Sequence, residues 1–134
     1  MKGSAIVHPN EEVVRGVYEA FARRDMPALL AMMSDEITFV ISGRSIQSGT
    51  FSGKEEVRRY FSIAGSHTEG THRVEVLDLL ANDLRAVALV RALGQRGDQT
   101  FDMTVVHIWQ LSDGQLAKLW LIPADQYAFD AFWS

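Results

Sequence analysis

The sequence contains no cysteine and only three prolines among its 134 residues. Without thiols the chain can form neither disulfides nor thiolate metal sites, so thiol redox chemistry is excluded. No apolar run approaches the length that crosses a bilayer, and the first ten residues are too short and too polar for a secretory signal. We therefore expect a cytoplasmic protein that binds no membrane.

A surplus of positive charge is also missing. The formal net charge is −4 at pH 7, and the basic residues do not cluster along the chain. A nucleic-acid site requires a basic patch or groove, so we expect no nucleic-acid partner. The length predicts a single domain over residues 1–134 that buries its own core without covalent cross-links.

The clearest pattern that is present lies between Thr100 and Ile122. Two long runs of β-branched and aromatic residues are joined there by Asp113 and Gly114, a strong hairpin signature. With these two residues at the centre of the turn, His107 lies opposite Trp120. Both faces of the hairpin are largely apolar, so the rest of the chain must cover one or both of them.

Helical patterns dominate the first half of the chain. Apolar spacing predicts a helix from Asn10, its N-cap, to Asp25, which caps a second and shorter helix. A strand is predicted over residues 36–42, followed by a polar loop and a third helix over residues 52–65 that starts with a capping-box motif. A short helix is predicted after Pro123.

Two further tight turns, predicted at residues 82–83 and 95–96, fix which strand residues share a sheet face. One face collects Val74, Val76, Asp78, Val87, Leu89, Arg91, Asp102, Thr104, Val106, Ile108, Leu119 and Leu121. The other face collects Leu77, Leu79, Ala88, Val90, Met103, Val105, His107, Trp109 and Trp120. The apolar area of this second face predicts a homodimer.

Helices followed by a long antiparallel meander indicate an α+β fold. Within that order, the segments EEVVRGVYEAFARRDMPALLAMMSDEITFV, GTFSGKEEVRRYF and VVHIWQLSDGQLAKLW resemble SnoaL-like and ketosteroid-isomerase-like members of the nuclear transport factor two superfamily. The resemblance implies a cone-shaped, curved antiparallel or mixed sheet wrapped around three N-terminal helices. It also implies a short C-terminal helix, a deep apolar pocket and dimerisation through the outer sheet face.

The resemblance assigns the first of the two sheet faces to the pocket. The pocket-lining residues that it implies are Val17, Tyr18, Phe39, Ile41, Tyr60, Phe61, Val76, Leu89, Arg91, Asp102, Thr104, Val106, Ile108, Leu119 and Leu121.

The best-known catalytic positions of the superfamily carry apolar residues in this chain. The isomerase-type tyrosine falls on Val17, one position before Tyr18, and the isomerase base and oxyanion-hole acid fall on Ile41 and Val106. Epoxide hydrolases and polyketide cyclases resembling SnoaL place an aspartate on the last strand, which is absent from residues 119–122. The residues that carry these two kinds of reaction in the superfamily are therefore not found at the matching positions of this chain.

The remaining catalytic candidates are Arg91, Asp102, Tyr18 and His107. Arg91 and Asp102 form either the polar end of the pocket or a structural ion pair near the sheet rim. Tyr18 directs its hydroxyl either into the pocket or to the surface. His107 shares a face with Trp109, which favours packing or an interface over catalysis. The histidines lack carboxylates at metal-binding spacing, so no metal site is expected.

The C-terminal tail carries three large aromatic residues, Phe129, Phe132 and Trp133, that water would penalise if they were exposed. We expect them to dock beside the pocket mouth as a lid or fixed wall. Docking on the dimer face is the alternative.

Two functions from different classes remain open. The first is a small-molecule enzyme that acts without cofactor, by acid–base chemistry, on a hydrophobic carbonyl or cyclic compound. Isomerase, cyclase, dehydratase and hydrolase reactions stay undecided. The alternative is a non-catalytic domain that binds a hydrophobic ligand or mediates a dimeric interaction. A carboxylate or histidine with a shifted pKa in the pocket favours the enzyme, and an apolar floor favours the binder.

Overall fold

The computed structural model describes residues 7–134, so residues 1–6 of the N-terminal stretch considered above lie outside it. Within this range the chain forms four helices and one six-stranded sheet. In chain order the elements are α1 (Pro9–Ala22), α2 (Met26–Ala31), β1 (Met33–Ile41), β2 (Gly49–Ser52), α3 (Gly53–His67), β3 (Arg73–Ala81), β4 (Arg85–Arg96), β5 (Gln99–Ser112), β6 (Gln115–Pro123) and α4 (Gln126–Phe132).

The sheet has the strand order β2-β1-β6-β5-β4-β3. β1 and β6 run parallel, and every other neighbouring pair is antiparallel. The sheet is curved and unclosed, and its inner face packs around the three N-terminal helices to enclose the core. This architecture confirms the predicted α+β class with a mixed, cone-shaped sheet.

The N-terminal helices follow local sequence signals, with a small shift at the start of α1. The cap is His8 rather than Asn10, because the His8 Nδ1 accepts the Asn10 N–H at 3.0 Å. Pro9 begins the helix at a position that needs no N–H donor. Asp25 caps α2 as predicted, accepting the Ala28 N–H at 3.1 Å.

The third helix, α3, forms where its capping motif predicts but ends later. The Glu56 carboxylate accepts the Ser52 N–H at 2.7 Å, whereas the Ser52 side chain makes no capping bond. The helix continues past the predicted end at Gly65 to His67. None of the helices within residues 7–134 is long and apolar enough to span a membrane.

The central hairpin has the predicted turn. Leu111 pairs with Leu116 around Asp113 and Gly114, whose φ angles of 52° and 77° are both positive, as a type I′ turn requires. The agreement ends immediately beyond this point, because the β5–β6 register shifts between Gln110 and Leu111.

The shift comes from Ala117, an extra residue that bulges from β6. His107 therefore pairs with Leu121 and not with Trp120. A one-residue slip exchanges the two faces of a strand. Beyond the bulge, Leu121 consequently lies on the same face as His107, and Trp120 lies on the opposite face.

The other two turns also differ from the prediction. The β3–β4 connection uses three residues, 82–84, because the Asn82 Oδ1 accepts the N–H groups of the two residues at its end, at 2.9 Å each. The β4–β5 turn lies at residues 97–98 rather than 95–96, and Gly97 supplies the positive φ of 58°.

The predicted pocket face is wrong for β4 and β5. The face that meets the helices carries Ala88, Val90, Ala92, Val105, His107 and Trp109, together with Leu119 and Leu121 of β6. The residues that point away from the core are Leu89, Arg91, Asp102, Thr104, Val106 and Ile108. The prediction assumed regular pairing of β5 and β6, so it placed the inward residues of β6 on the same face as the outward residues of β5. The bulge shifts the pairing by one residue and separates the two sets.

Candidate functional site

A cavity of about 60 Å³ lies between the inner face of the sheet and the helices. On a comparable scale one water molecule needs about 10–15 Å³, so this space holds a few waters or a very small ligand without rearrangement. No Asp, Glu, Lys or Arg of the described residues lines it. Its walls are aromatic and aliphatic side chains, apart from a small number of polar groups.

Three of these polar groups form one hydrogen-bonded chain. The Trp109 Nε1–H donates to the Tyr18 Oη at 3.0 Å, and the Tyr18 Oη lies 2.7 Å from the His107 Nδ1. The Tyr18 and His107 rings are stacked with an angle of 6° between their planes. All three side chains are buried, so the chain is a fixed feature of the cavity wall.

The positions of the protons on Tyr18 and His107 follow from which atoms of this hydrogen-bonded group donate and which accept. The Tyr18 hydroxyl already accepts from Trp109, and within residues 7–134 the only acceptor for its own proton is the His107 Nδ1. We assign the neutral His107 ring its proton on Nε2 for that reason. The Nε2 atom makes no hydrogen bond with residues 7–134, which leaves this N–H as a donor for a ligand.

Burial sets the ionisation states of Tyr18 and His107. It lowers the pKa of His107 from 6.5 to about 3, and a charge on the nearby His72 would lower it further. Burial also raises the pKa of Tyr18 above its ordinary value, although the hydrogen bond from Trp109 acts in the opposite direction. At neutral pH the imidazole is therefore uncharged and the phenol keeps its proton.

A second imidazole, His72, lines the same cavity. Its ring stands edge-on to Phe21 and Trp133, with centroid distances of 5.4 Å to each. The Nδ1 atom is buried and has no hydrogen-bond partner in the described part of the chain. Burial, and then the positive charge of Arg24, lower the pKa of His72 to about 4. This ring is also neutral at pH 7.

A second cavity of about 360 Å³ adjoins the first. Phe21, Leu29, Phe61 and His72 line both spaces and form the boundary between them. The larger cavity lies beside the α1–α2 connection, the second half of α3 and the segment that leads into β3. A ligand too large for the inner cavity can extend into this outer one.

The C-terminal helix closes another side of the inner cavity. Phe129 and Trp133 line it, and the Phe101 ring of β5 packs against Phe132 at a centroid distance of 4.8 Å. All of these aromatic residues are buried. The expectation that the tail docks at the cavity is confirmed, and docking on the outer sheet face is wrong.

Hydrogen bonds hold this helix at both ends. The Ser42 Oγ donates to the Gln126 Oε1 at 2.7 Å, and the Ile46 N–H donates to the Trp133 carbonyl at 3.1 Å. At its N-terminus Asp125 caps the helix by accepting the Ala128 N–H at 3.0 Å. The helix is a fixed wall of the cavity in this structure.

Seven residues expected to line the pocket do so: Val17, Tyr18, Phe39, Tyr60, Phe61, Leu119 and Leu121. Ile41 and Val76 belong to the core or pack against it without lining the cavity. Leu89, Arg91, Asp102, Thr104, Val106 and Ile108 lie on the outer face, which corrects the prediction for them. The other lining residues, of which the sequence placed only Val74, Phe129 and Trp133 at the pocket, are Phe21, Leu29, His72, Val74, Ala92, Phe101, Val105, His107, Trp109, Phe129 and Trp133.

Arg91 and Asp102 pair as expected, but not in the pocket. The Arg91 Nε and Nη2 donate to the two carboxylate oxygens at 2.8 and 2.6 Å, and Glu75 lies 3.8 Å from the same guanidinium. The pairing raises the pKa of Arg91 and lowers the pKa of Asp102. Both side chains are 45% exposed, so this is a surface ion pair and neither residue is a catalytic candidate.

A signal in the sequence could have identified the inner face. Arg91, Asp102 and Thr104 alternate with apolar residues, and in an antiparallel sheet the polar members of such an alternation normally face water. This pattern places His107 and Trp109 inside. Within residues 7–134 no group of three or more His, Cys, Asp or Glu side chains could hold a metal ion.

The fold of this chain is shared with known proteins. A family model described as the SnoaL-like domain matches residues 14–119, from α1 into β6. The chain belongs to the SnoaL-like family. Among the curated relatives of this SnoaL-like chain is an uncharacterised protein of Mycobacterium tuberculosis, 25% identical over 124 residues that cover 92% of this chain and 95% of the relative.

Solved structures of similar shape extend the comparison. Bal32a, from a soil-derived mobile gene cassette, has a TM-score of 0.90 and 28% identity, covering 94% of this SnoaL-like chain and 97% of its own. TerC, co-crystallised with polyporic acid, has a TM-score of 0.83 and 21% identity over 93% and 98% of the chains. A putative SnoaL-like polyketide cyclase from Jannaschia sp. CCS1 has a TM-score of 0.77 and 14% identity over 94% and 92%. The last two likenesses concern the fold alone.

Proposed function

We propose that this SnoaL-like protein is a cofactor-independent enzyme that transfers a proton on a compact hydrophobic carbonyl compound held in the inner cavity. The observation that carries the proposal is a pair of neutral histidines, His107 and His72, on the wall of an otherwise apolar space. Ionisable groups with strongly shifted pKa values in a cavity mark functional sites. The chain also shares its fold with a putative SnoaL-like polyketide cyclase.

In this proposal His107 is the electrophile. Its Nε2–H donates a hydrogen bond to the carbonyl oxygen of the ligand and stabilises the negative charge that develops there. A neutral imidazole can do this, and the surrounding apolar walls strengthen the interaction. Tyr18 holds the Nδ1 atom of the ring and Trp109 holds Tyr18, so both are positioning residues.

His72 is the base in the same reaction. A ring nitrogen accepts a proton from the carbon beside the carbonyl, the electrons of that C–H bond form the C=C bond of an enolate, and His107 holds the enolate oxygen. In a β,γ-unsaturated ligand the enolate is a dienolate, and return of the proton to its γ-carbon moves the C=C bond into conjugation with the carbonyl group. Return of a solvent-derived proton to the same carbon leaves the ligand unchanged except for isotope exchange.

Isotope exchange tests the proposal without knowledge of the natural substrate. A panel of ketones from acetone to cyclohexanone is incubated with the protein in D₂O near neutral pH, and loss of the α-proton signal is followed by NMR. We expect at least one ketone to exchange faster than in buffer. His107→Gln and His72→Gln should each lower that rate about a hundredfold. His8→Gln, which changes a histidine far from both cavities, should not.

Exchange that persists in the double variant His72→Gln/His107→Gln would contradict the proposal. Binding of a ketone without exchange would favour the alternative, a non-catalytic binder of hydrophobic ligands. That alternative is supported by the lack of a carboxylate among the described residues of the cavity wall. A cytoplasmic location belongs to the same proposal, and fractionation of the producing cells tests it.

A further inference from the structure

The outer cavity contains a cation that the proposed proton transfer does not use. Arg24 lines this space of about 360 Å³, and the side chains of Phe21, Phe61 and His72 separate it from the inner cavity. The inner cavity, at about 60 Å³, admits only a few atoms beside His107. A ligand that reaches His107 and is longer than the inner cavity would have to cross this boundary, which would bring its far end towards Arg24.

Arg24 is held in place without being neutralised. Its Nη2 donates to the backbone carbonyl of Gly70 at 3.3 Å and to that of His72, and the guanidinium carbon lies 4.8 Å from the Phe21 ring centroid. None of the ion pairs within residues 7–134 includes it. The Nε–H and the two Nη1–H groups make no hydrogen bond within residues 7–134, so they remain free to donate to an anion.

The backbone at this position adds a second observation. Arg24 has a φ of 58°, in the left-handed region that costs a residue other than glycine free energy. This left-handed residue ends α1 in a Schellman-type turn, in which the Asp25 N–H donates to the Ala20 carbonyl at 2.9 Å. Here the conformation directs the arginine across the outer cavity to the segment before β3.

The adjacent carboxylate, Asp25, does not cancel this charge. Its Oδ1 accepts the Ala28 N–H at 3.1 Å as the N-cap of α2, and its Oδ2 lies 3.9 Å from the Arg23 Nη2. The helix terminus and Arg23 therefore balance the charge of Asp25. Arg24 is the cation that this turn offers to the outer cavity.

We propose that Arg24 binds a carboxylate at one end of the ligand, while the hydrophobic body passes between Phe21 and Phe61 towards His107. A single guanidinium balances one negative charge, which fits a carboxylate better than a phosphate dianion. The ligand class is a compact hydrophobic oxo acid rather than a neutral ketone. This inference rests on the proposed function for the position of the reacting carbonyl, but the binding of the carboxylate does not require catalysis.

Paired probes test this inference by calorimetric titration of the full-length protein. The probes are 4-phenylbutanoic acid and its neutral amide, which has the same body without the charge. We expect the wild type to bind the acid about three- to tenfold more tightly than the amide, because the ion pair is partly exposed. Added salt should weaken binding of the acid and leave binding of the amide unchanged.

Variants show which side chain causes the preference for the acid over the amide. Arg24→Gln should abolish the preference for the acid, and Arg24→Lys should retain part of it because the charge remains. Arg85→Gln is the control, since Arg85 is exposed, lines neither cavity and takes part in none of the ion pairs within residues 7–134. Thermal melting and circular dichroism show whether each variant is folded, and Arg24→Lys supplies the comparison if Arg24→Gln does not fold.

Three outcomes would overturn the inference: equal affinity of the wild type for acid and amide, no binding of either probe, or a preference that survives in folded Arg24→Gln. Under any of them the His107-dependent exchange of neutral ketones can still occur. Conversely, an Arg24-dependent preference without exchange in any ketone refutes the enzyme and keeps the carboxylate site. The two proposals therefore fail independently.

Discussion

The chemistry of His107 is set by its neighbours. An imidazole in water titrates near neutrality, whereas burial lowers the pKa of this ring to about 3. Tyr18 occupies its Nδ1 and Trp109 occupies the Tyr18 hydroxyl, so the ring cannot turn without breaking hydrogen bonds. A side chain that the sequence associated with packing thus becomes a fixed, neutral hydrogen-bond donor.

The two cavity histidines predict how stability depends on pH. Their folded pKa values of about 3 for His107 and about 4 for His72 lie below the ordinary 6.5, so the unfolded chain binds more protons at acidic pH. Their contribution is complete above about pH 6.5. As the pH falls below that value, the free energy of unfolding should decrease by up to about 1.4 kcal/mol per pH unit for each histidine.

Urea denaturation between pH 8 and pH 4 measures this dependence. The double variant His72→Gln/His107→Gln should show a shallower decrease than the wild type, and each single variant an intermediate one. An unchanged slope in the double variant would show that other groups cause the acid sensitivity.

At the scale of elements, one bulged residue decides which strand residues reach the cavity. Ala117 lies between the turn and the apolar end of β6, and it brings Leu119 and Leu121 to the face of His107 and Trp109. Without the bulge Lys118 would face Trp109, and a lysine would enter the core. The irregularity therefore completes an apolar inner face that the regular hairpin lacks.

The packing of α4 predicts different effects for two glycines of the β1–β2 region. Gly43 has a φ of 104°, and an added Cβ would overlap the Asp130 and Gln126 side chains of α4. Gly49 has a φ of 119° and open space around the same position. Alanine at either site incurs backbone strain of about 1–3 kcal/mol. We expect Gly43→Ala to destabilise the protein more than Gly49→Ala, because Gln126 must also release Ser42.

Urea denaturation of the two variants gives the comparison directly. Equal losses of stability would mean that α4 accommodates the extra methyl group at no cost. The wall of the cavity would then be more adaptable than its hydrogen bonds indicate.

At the scale of the whole molecule, the sheet face that points away from the core is largely apolar. Val90 and Trp109, which were expected on the dimer face, are buried inside, and Met103 packs against the core. Trp120 was also expected on the dimer face and does lie on the outer face, where it is joined by Val87, Leu89, Val106, Ile108 and Ile122. Contiguous apolar surface of this kind is typical of an interface, so a homodimer remains our prediction.

Sedimentation velocity at low micromolar concentration tests the dimer. We expect the mass of two 15.0 kDa chains for the wild type and of one chain for Leu89→Glu, because Leu89 is 37% exposed on the outer face. The control is Leu84→Glu, which places the same charge at an exposed leucine of the β3–β4 loop, off the sheet. A monomeric wild type, or dissociation in both variants, would contradict the prediction.

The sequence by itself determined the elements and their order. The signals for these elements act within a few residues, so a distant contact that overrode them would cost free energy. They include Asp25 as a cap, the Asp113–Gly114 turn and the apolar spacing of α1 and α3. The resemblance added the cone-shaped sheet and placed seven helix and strand residues correctly on the cavity wall.

Only the tertiary structure decided which sheet face turns inward and what the cavity contains. A strand alternates with a period of two, so one unforeseen bulge at Ala117 reversed the faces assigned to β4 and β5 relative to β6. Tyr18 and His107 are 89 positions apart, and their hydrogen bond exists because the curved sheet wraps around α1. The site therefore depends on long-range packing, which local residue patterns do not encode.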